Sequence, residues 1–67
     1  MLSPNAQRLF DQLPEDGTAV GNSKLRENIN LSSNEYESAT EELLTNNVVQ
    51  KWRGRGGSLR RVTFKTN

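Results

Sequence analysis

The sequence predicts an α+β fold with three helices and a C-terminal antiparallel sheet of two or three strands. Apolar residues recur at helical spacing as far as about residue 45. Beyond that point two β-prone segments, 48–53 and 58–64, flank the glycine-rich segment 54–57, which is the pattern of a hairpin. The length of 67 residues is that of one domain.

The first helix is predicted over about residues 4–13. Ser3 is a suitable N-cap, Pro4 fits the first helical position, and Pro14 is expected to end the helix. A turn follows, and then the short extended segment 18–20.

The second helix is predicted over about residues 23–29, with Asn22 as its cap. Leu25 and Ile29 lie four residues apart and therefore share one face, which we expect to be buried.

The third helix, predicted over about residues 33–45, has the strongest local signal. Ser32 and Glu35 form the S-x-x-E pattern of a capping box, and Leu31 and Tyr36 are spaced for a hydrophobic staple. Two asparagines at 46–47 are suited to ending the helix.

The hairpin is predicted over about residues 48–64, with one apolar face laid over the helices. The residues expected to point inward are Val48, Trp52, Val62 and Phe64. Leu59 falls out of phase with this set, which predicts a β-bulge near the turn. Residues 18–20 are expected to pair with the hairpin as a third strand.

The composition excludes several classes of function. The chain has no cysteine and no histidine, so it lacks disulfides, thiolate or imidazole metal ligands and the usual acid–base residues. We therefore expect neither an enzyme nor a bound metal or cofactor. No apolar stretch is long enough for a membrane span, and no export signal is recognisable, which predicts a cytoplasmic domain.

Charge is distributed very unevenly along the chain. Residues 1–50 hold three basic and eight acidic side chains, whereas residues 51–67 hold six basic side chains and no acidic one. This asymmetry predicts an anionic partner at the basic end. The alternative is a basic flank that is merely solvated.

The segment 31–64 resembles the helix-and-hairpin part of winged helix-turn-helix domains. The residues that carry this resemblance are Glu41-Glu42-Leu43-Leu44, Val48-Val49 and Arg53-Gly54-Arg55-Gly56-Gly57-Ser58. They are similar to accessory winged-helix modules of bacterial restriction–modification and phage-defence proteins. The resemblance implies binding of double-stranded DNA, with the third helix toward the major groove and the hairpin along the backbone or minor groove. It implies a regulator of transcription or the DNA-contacting module of a larger protein.

Candidate DNA-contacting residues lie in three places. Those of the hairpin are Lys51, Arg53, Arg55, Gly56, Ser58, Arg60 and Arg61. Arginine suits phosphate oxygens and glycine permits close approach of the backbone, although a glycine turn flanked by solubilising arginines is the alternative. Lys24, near the start of the second helix, is placed to contact a phosphate. Those of the third helix are Ser33, Asn34, Glu37 and Ser38.

The acidic character of the third helix leaves other functions open. Four glutamates on this helix are unfavourable near phosphates, so a solvated face is as consistent with the sequence as base reading. Docking of a basic protein partner on this helix is the alternative to DNA binding, and structured RNA is a third candidate. Trp52 is expected to be buried in the hairpin, with stacking on an unpaired base as the alternative.

Overall fold

The computed structural model describes residues 2–52 and 57–62. The elements in this part of the chain are α1 (Pro4–Asp11), β1 (Val20–Gly21), α2 (Asn22–Asn28), α3 (Ser33–Thr45), β2 (Val49–Trp52) and β3 (Ser58–Arg61). The strands form one antiparallel sheet in the order β1-β3-β2. The predicted α+β class, with three helices and a three-stranded antiparallel sheet, is therefore confirmed.

Helix α1 begins as predicted and ends two residues earlier than predicted. The hydroxyl of Ser3 accepts a hydrogen bond from the Ala6 amide at 3.2 Å. At the other end, the amides of Gln12 and Leu13 bond to carbonyls only three residues back. Pro14 explains this tightening, because a proline disfavours helical backbone at the residue before it.

Helix α2 begins at Asn22, one residue earlier than predicted, so the prediction of Asn22 as N-cap is wrong. Gly21 occupies the cap position, and its cap has no side-chain hydrogen bond. The side chain of Asn22 is used elsewhere, since its Oδ1 accepts a hydrogen bond from the Tyr36 hydroxyl at 2.6 Å. Its backbone amide donates to the carbonyl of Gly57 at 3.1 Å, which ties α2 to the hairpin.

Helix α3 has the predicted bounds. The capping box between Ser32 and Glu35 is complete, with the Glu35 amide donating to Ser32 Oγ at 3.2 Å and the Ser32 amide donating to Glu35 Oε1 at 3.0 Å. The chain leaves the helix through Asn47, whose φ of 58° is the left-handed conformation that asparagine tolerates.

The hairpin pairs in a continuous register, so the predicted β-bulge is wrong for the strands described. Val49 lies opposite Arg61, and Trp52 lies opposite Ser58. The expected third strand is confirmed in part, because Val20 pairs with Leu59 while Thr18 and Ala19 lie outside β1.

The hairpin presents the opposite face to the helices from the one predicted. Val49 is 3% exposed and Leu59 is 1% exposed, and both belong to the core. Val48 and Val62 are only half-buried, and Trp52 is 51% exposed, so the prediction that they form the inner face is wrong. Phe64 lies outside the described residues.

The core joins all three helices to the sheet. Its buried side chains are Ala6, Leu9, Leu13, Leu25, Ile29, Tyr36, Ala39, Leu43, Val49 and Leu59. Each helix contributes one apolar stripe, as the helical spacing predicts, and β2 and β3 contribute one residue each. Among the helices in the described part of the chain, none has the length and apolar character needed to cross a bilayer.

Candidate nucleic-acid interface

The outer face of the hairpin carries an exposed aromatic ring and a guanidinium group in contact. The strand pairing places Trp52 opposite Ser58 and Gln50 opposite Arg60, so these four side chains share the face turned away from the helices. The guanidinium carbon of Arg60 lies 4.7 Å from the centre of the Trp52 ring. The Ser58 hydroxyl bonds across the strand pair, where it donates to the Trp52 carbonyl at 3.1 Å.

The neighbouring arginine points the other way. Arg61 lies on the inner face of β3, where its guanidinium carbon is 4.2 Å from the centre of the Phe10 ring. Its Nη2 donates to the Phe10 carbonyl at 3.1 Å. Arg61 therefore links the sheet to α1, and its guanidinium group already has protein partners.

The remaining basic candidates are distributed over two elements. Lys51 is exposed on β2, close to the turn of the hairpin, and Lys24 is exposed on α2. Arg53, Arg55 and Gly56, on which the sequence places the tip of the proposed interface, lie outside the described residues. The next glycine, Gly57, is described and has a φ of 78°, as expected for a glycine in a tight turn.

The exposed face of α3 is the one that the helical spacing predicts. The four residues proposed there, Ser33, Asn34, Glu37 and Ser38, are all exposed. Asn34 and Ser38 border a shallow depression beside α1, whereas Glu37 borders a larger groove beside the hairpin.

Two of the four glutamates on α3 have backbone partners. Glu35 accepts the Ser32 amide within the capping box, and this hydrogen bond lowers the pKa of the Glu35 carboxyl. Glu42 Oε2 accepts the Ser3 amide at 2.6 Å, which lowers the pKa of Glu42 and joins α3 to the start of α1. The sequence suggests four equivalent acidic side chains, but only Glu37 and Glu41 have no such backbone hydrogen bond within residues 2–52 and 57–62.

An open groove of about 860 Å³ separates α2 and α3 from the hairpin. Arg26 from α2 lies over the ring of Tyr36, with its guanidinium carbon 4.7 Å from the ring centre. Burial raises the pKa of Tyr36, and the nearby positive charge of Arg26 opposes that shift. Glu37, Glu41 and Lys51 also line the groove, so both signs of charge face it.

Sequence reasoning did not predict the ring contacts of Arg60 and Arg26. It expected Trp52 to be buried, with stacking on an unpaired base as the alternative, and it assigned no role to Arg26. Neither contact has a local sequence signal, because Trp52 and Arg60 are brought together by strand register and Arg26 and Tyr36 by helix packing.

Within residues 2–52 and 57–62, acidic side chains do not gather in groups of three that would hold a metal ion. Comparison with profiles of known protein families, with curated proteins and with solved structures found no match to this chain.

Proposed function

We propose that this chain is a winged-helix domain that binds double-stranded DNA, with the hairpin β2–β3 on the phosphate backbone and α3 toward a groove. It acts as a regulator of transcription or as the DNA-contacting module of a larger cytoplasmic protein. In this proposal, contact of the hairpin with the phosphate backbone of the DNA supplies most of the affinity, and α3 supplies a secondary contact.

The order of elements supports the winged-helix assignment. A helix, a short strand, two helices and a hairpin follow one another, and the short first strand pairs with the last strand of the hairpin. This arrangement leaves one long face of α3 open beside the hairpin, as a helix that enters a DNA groove requires.

The basic hairpin is the observation that carries the proposal. Residues 51–67 hold six basic side chains and no acidic one. In the described part of that segment, Lys51 is exposed on the same face as Leu59, where it borders the groove, and Arg60 is half-buried on the opposite, outer face. Such a concentration of cations favours a polyanion and steers its approach.

The engagement of Glu35 and Glu42 with backbone amides makes α3 less unfavourable to DNA than its composition suggests. Ser33, Asn34 and Ser38 then remain as neutral hydrogen-bonding groups on its exposed face. Glu37 and Glu41 are still exposed, and for this reason we assign the main contact to the hairpin. Arg61 is left out of the proposed contacts, because its guanidinium group is bonded to α1.

A salt titration of binding to a labelled DNA duplex tests the proposal. We expect the logarithm of the association constant to fall with the logarithm of salt concentration with a slope of roughly −3 to −5, since each neutralised phosphate contributes about −0.9. Fluorescence anisotropy between about 50 and 200 mM salt measures this slope. Binding that hardly changes over that range would contradict a phosphate-based interface.

Substitutions on the hairpin should weaken binding to every DNA sequence to a similar extent. Lys51→Ala and Arg55→Ala are each expected to make the salt slope shallower by about 1, because each removes one phosphate contact. Arg8→Ala is the matched control, since it removes the same charge from an exposed position on α1. An equal loss for Arg8→Ala would mean that net charge alone governs binding.

Docking of a basic protein on α3 is the second candidate function. It is favoured by Glu37 and Glu41, which lie one turn apart on the same side of α3 and border the groove. Under this alternative, Glu37→Gln with Glu41→Gln would abolish partner binding, whereas under the main proposal the same pair of substitutions would strengthen DNA binding. Structured RNA is distinguished from DNA by direct competition between the two duplexes.

A further inference from the structure

The outer face of the hairpin contains an arginine whose position is set by an aromatic ring. Arg60 lies over Trp52 at 4.7 Å, and the strand pairing puts both residues on the same face of β2–β3. Trp52 also borders the groove between the hairpin and helices α2 and α3. Trp52 is 51% exposed although it is the largest apolar side chain in the protein. A single exposed apolar side chain is common on a protein surface, so the feature that sets Trp52 apart is its contact with Arg60.

The hydrogen bonds of Arg60 show which of its donors remain free when it contacts the Trp52 ring. Its Nε is buried and has no hydrogen-bond partner, which is also true of Arg61 Nε. None of the hydrogen bonds found among the described residues involves the Nη groups of Arg60. By contrast, Arg61 on the opposite face donates to a backbone carbonyl. Arg60 is therefore held in place by its ring contact, and its terminal Nη groups, rather than the buried Nε, are the donors left for an external acceptor.

We propose that Trp52 and Arg60 together form a phosphate-binding unit for the backbone of double-stranded DNA, in which Trp52 is a positioning residue and Arg60 makes the contact. The inference rests on the proposed function and deepens it by adding the outer face of the hairpin to the surface that meets DNA, beside Lys51 at the edge of the groove. Stacking restricts the rotamers of Arg60 before binding, so less conformational entropy is lost when the planar guanidinium group meets phosphate oxygens.

The geometry favours a duplex over a single strand. One face of the Trp52 ring is already covered by Arg60, which places a cation where a phosphate can approach it. Base stacking on Trp52 would use the ring itself as the platform, and Arg60 would then contribute little. The two modes differ in their dependence on Arg60, and this difference is what the experiment measures.

A double-mutant cycle on the full chain tests the unit. Arg60→Ala is expected to weaken binding to a labelled duplex about 10-fold, as the loss of a charge-assisted hydrogen bond implies. Trp52→Leu should weaken it by about 2- to 5-fold, and Trp52→Phe, which keeps an aromatic ring, by less than about twofold. In the Arg60→Ala background, Trp52→Leu should have no further effect, because the residue acts through Arg60.

Trp52 also provides a direct signal, since it is the only tryptophan in the chain. Its fluorescence should change in the free protein on Arg60→Ala and should change again when the wild-type protein binds duplex DNA. Arg8→Ala is the charge-matched control and should leave the Trp52 spectrum unchanged. Circular dichroism melts of each variant establish that the fold is retained.

Each outcome has one interpretation. A duplex affinity that depends on salt, combined with additive effects of Trp52→Leu and Arg60→Ala, would overturn the unit and leave the proposed function standing. Absence of duplex binding by anisotropy would overturn both. A single-stranded oligonucleotide that quenches Trp52 fluorescence more strongly than the duplex does, and still does so in the Arg60→Ala variant, would indicate base stacking on Trp52. This result would also overturn the unit.

Discussion

Arg60 and Arg61 are adjacent in the sequence and do different things in the fold. Successive side chains of a strand point to opposite faces, so Arg60 lies on the outer face beside Trp52 while Arg61 lies on the inner face beside Phe10. Both guanidinium groups contact a ring, and among the residues that the structure describes only Arg61 also bonds to a backbone carbonyl. We therefore assign Arg60 to the proposed DNA contact and Arg61 to the stability of the domain.

Replacing Arg61 should therefore lower stability. Arg61→Ala is expected to reduce the free energy of unfolding by about 1–2 kcal/mol, from the loss of the hydrogen bond to the Phe10 carbonyl and of the ring contact. Arg61→Lys should retain little of this stability, because an ammonium group lacks the planar fork. Urea denaturation followed by circular dichroism measures both variants.

Arg8→Ala serves again as the control, because Arg8 is exposed on α1. We expect it to change the unfolding free energy by less than about 0.5 kcal/mol. If Arg61→Ala were equally mild, the contact with α1 would not stabilise the fold, and Arg61 would return to the set of candidate DNA contacts.

Arg61 also shows why the face of the hairpin was predicted incorrectly. Sequence reasoning chose an inner face that included Val62 and Phe64, which left Leu59 out of phase and placed Arg61 outside. The structure turns Arg61 inward, where its guanidinium group lies over the Phe10 ring and donates to the Phe10 carbonyl. No local feature of the sequence announces this partner, which is 51 residues away.

At the scale of single elements, α3 was the most predictable part of the chain. Its start depends on the side chains of Ser32 and Glu35, and its end depends on Asn47, all within a turn of the boundary. The hairpin differs because Val48 and Val49 are equally apolar, and only pairing with β3 and packing on the helices decides which is buried. Local interactions are visible in a sequence, whereas strand register is not.

The hydrogen-bonded carboxylates of α3 predict how stability depends on pH. The pKa values of Glu35 and Glu42 are lowered in the folded protein by bonds to backbone amides. Below the ordinary value of 4.5 the unfolded chain binds protons more readily than the folded protein does. The stabilisation is therefore complete at neutral pH, begins to decline near pH 4.5 and is lost as the pH falls through the lowered pKa values of the folded protein. Thermal unfolding between pH 6 and pH 3 should show this loss.

The combined substitution of Glu35→Gln and Glu42→Gln should flatten that profile, because neither amide side chain titrates. Glu27→Gln, at an exposed position of α2, is the matched control and should keep the slope of the wild-type protein. A double variant with an unchanged slope would show that other groups govern the acid transition.

The orientation of the hairpin predicts that Leu59, on β3, matters more for stability than Val62, which follows β3. Leu59→Ala should destabilise the domain by about 2–4 kcal/mol, since Leu59 is a fully buried side chain of the core. Val62→Ala should cost about 1 kcal/mol or less, because Val62 is half-buried. Thermal or urea unfolding of the two variants compares them directly, and the reverse order would contradict the register described above.

At the scale of the whole molecule, the central feature is the separation of charge. All acidic side chains lie within residues 1–50, and every charged side chain within residues 51–67 is basic. In the fold, the carboxylates of Glu35 and Glu42 accept hydrogen bonds from backbone amides at the starts of α3 and α1. The hairpin carries the cations Lys51 and Arg60, one on each face. This segregation was evident from the sequence, whereas the identity of the free and the engaged side chains required the structure.

The most direct test of this account is an NMR titration of the ¹⁵N-labelled protein with a short DNA duplex. We expect the largest amide shifts within residues 51–62, together with smaller shifts along the exposed face of α3 from Ser33 to Ser38. Shifts confined to α3, or the absence of shifts throughout the chain, would contradict the claim that the basic hairpin meets a nucleic-acid backbone.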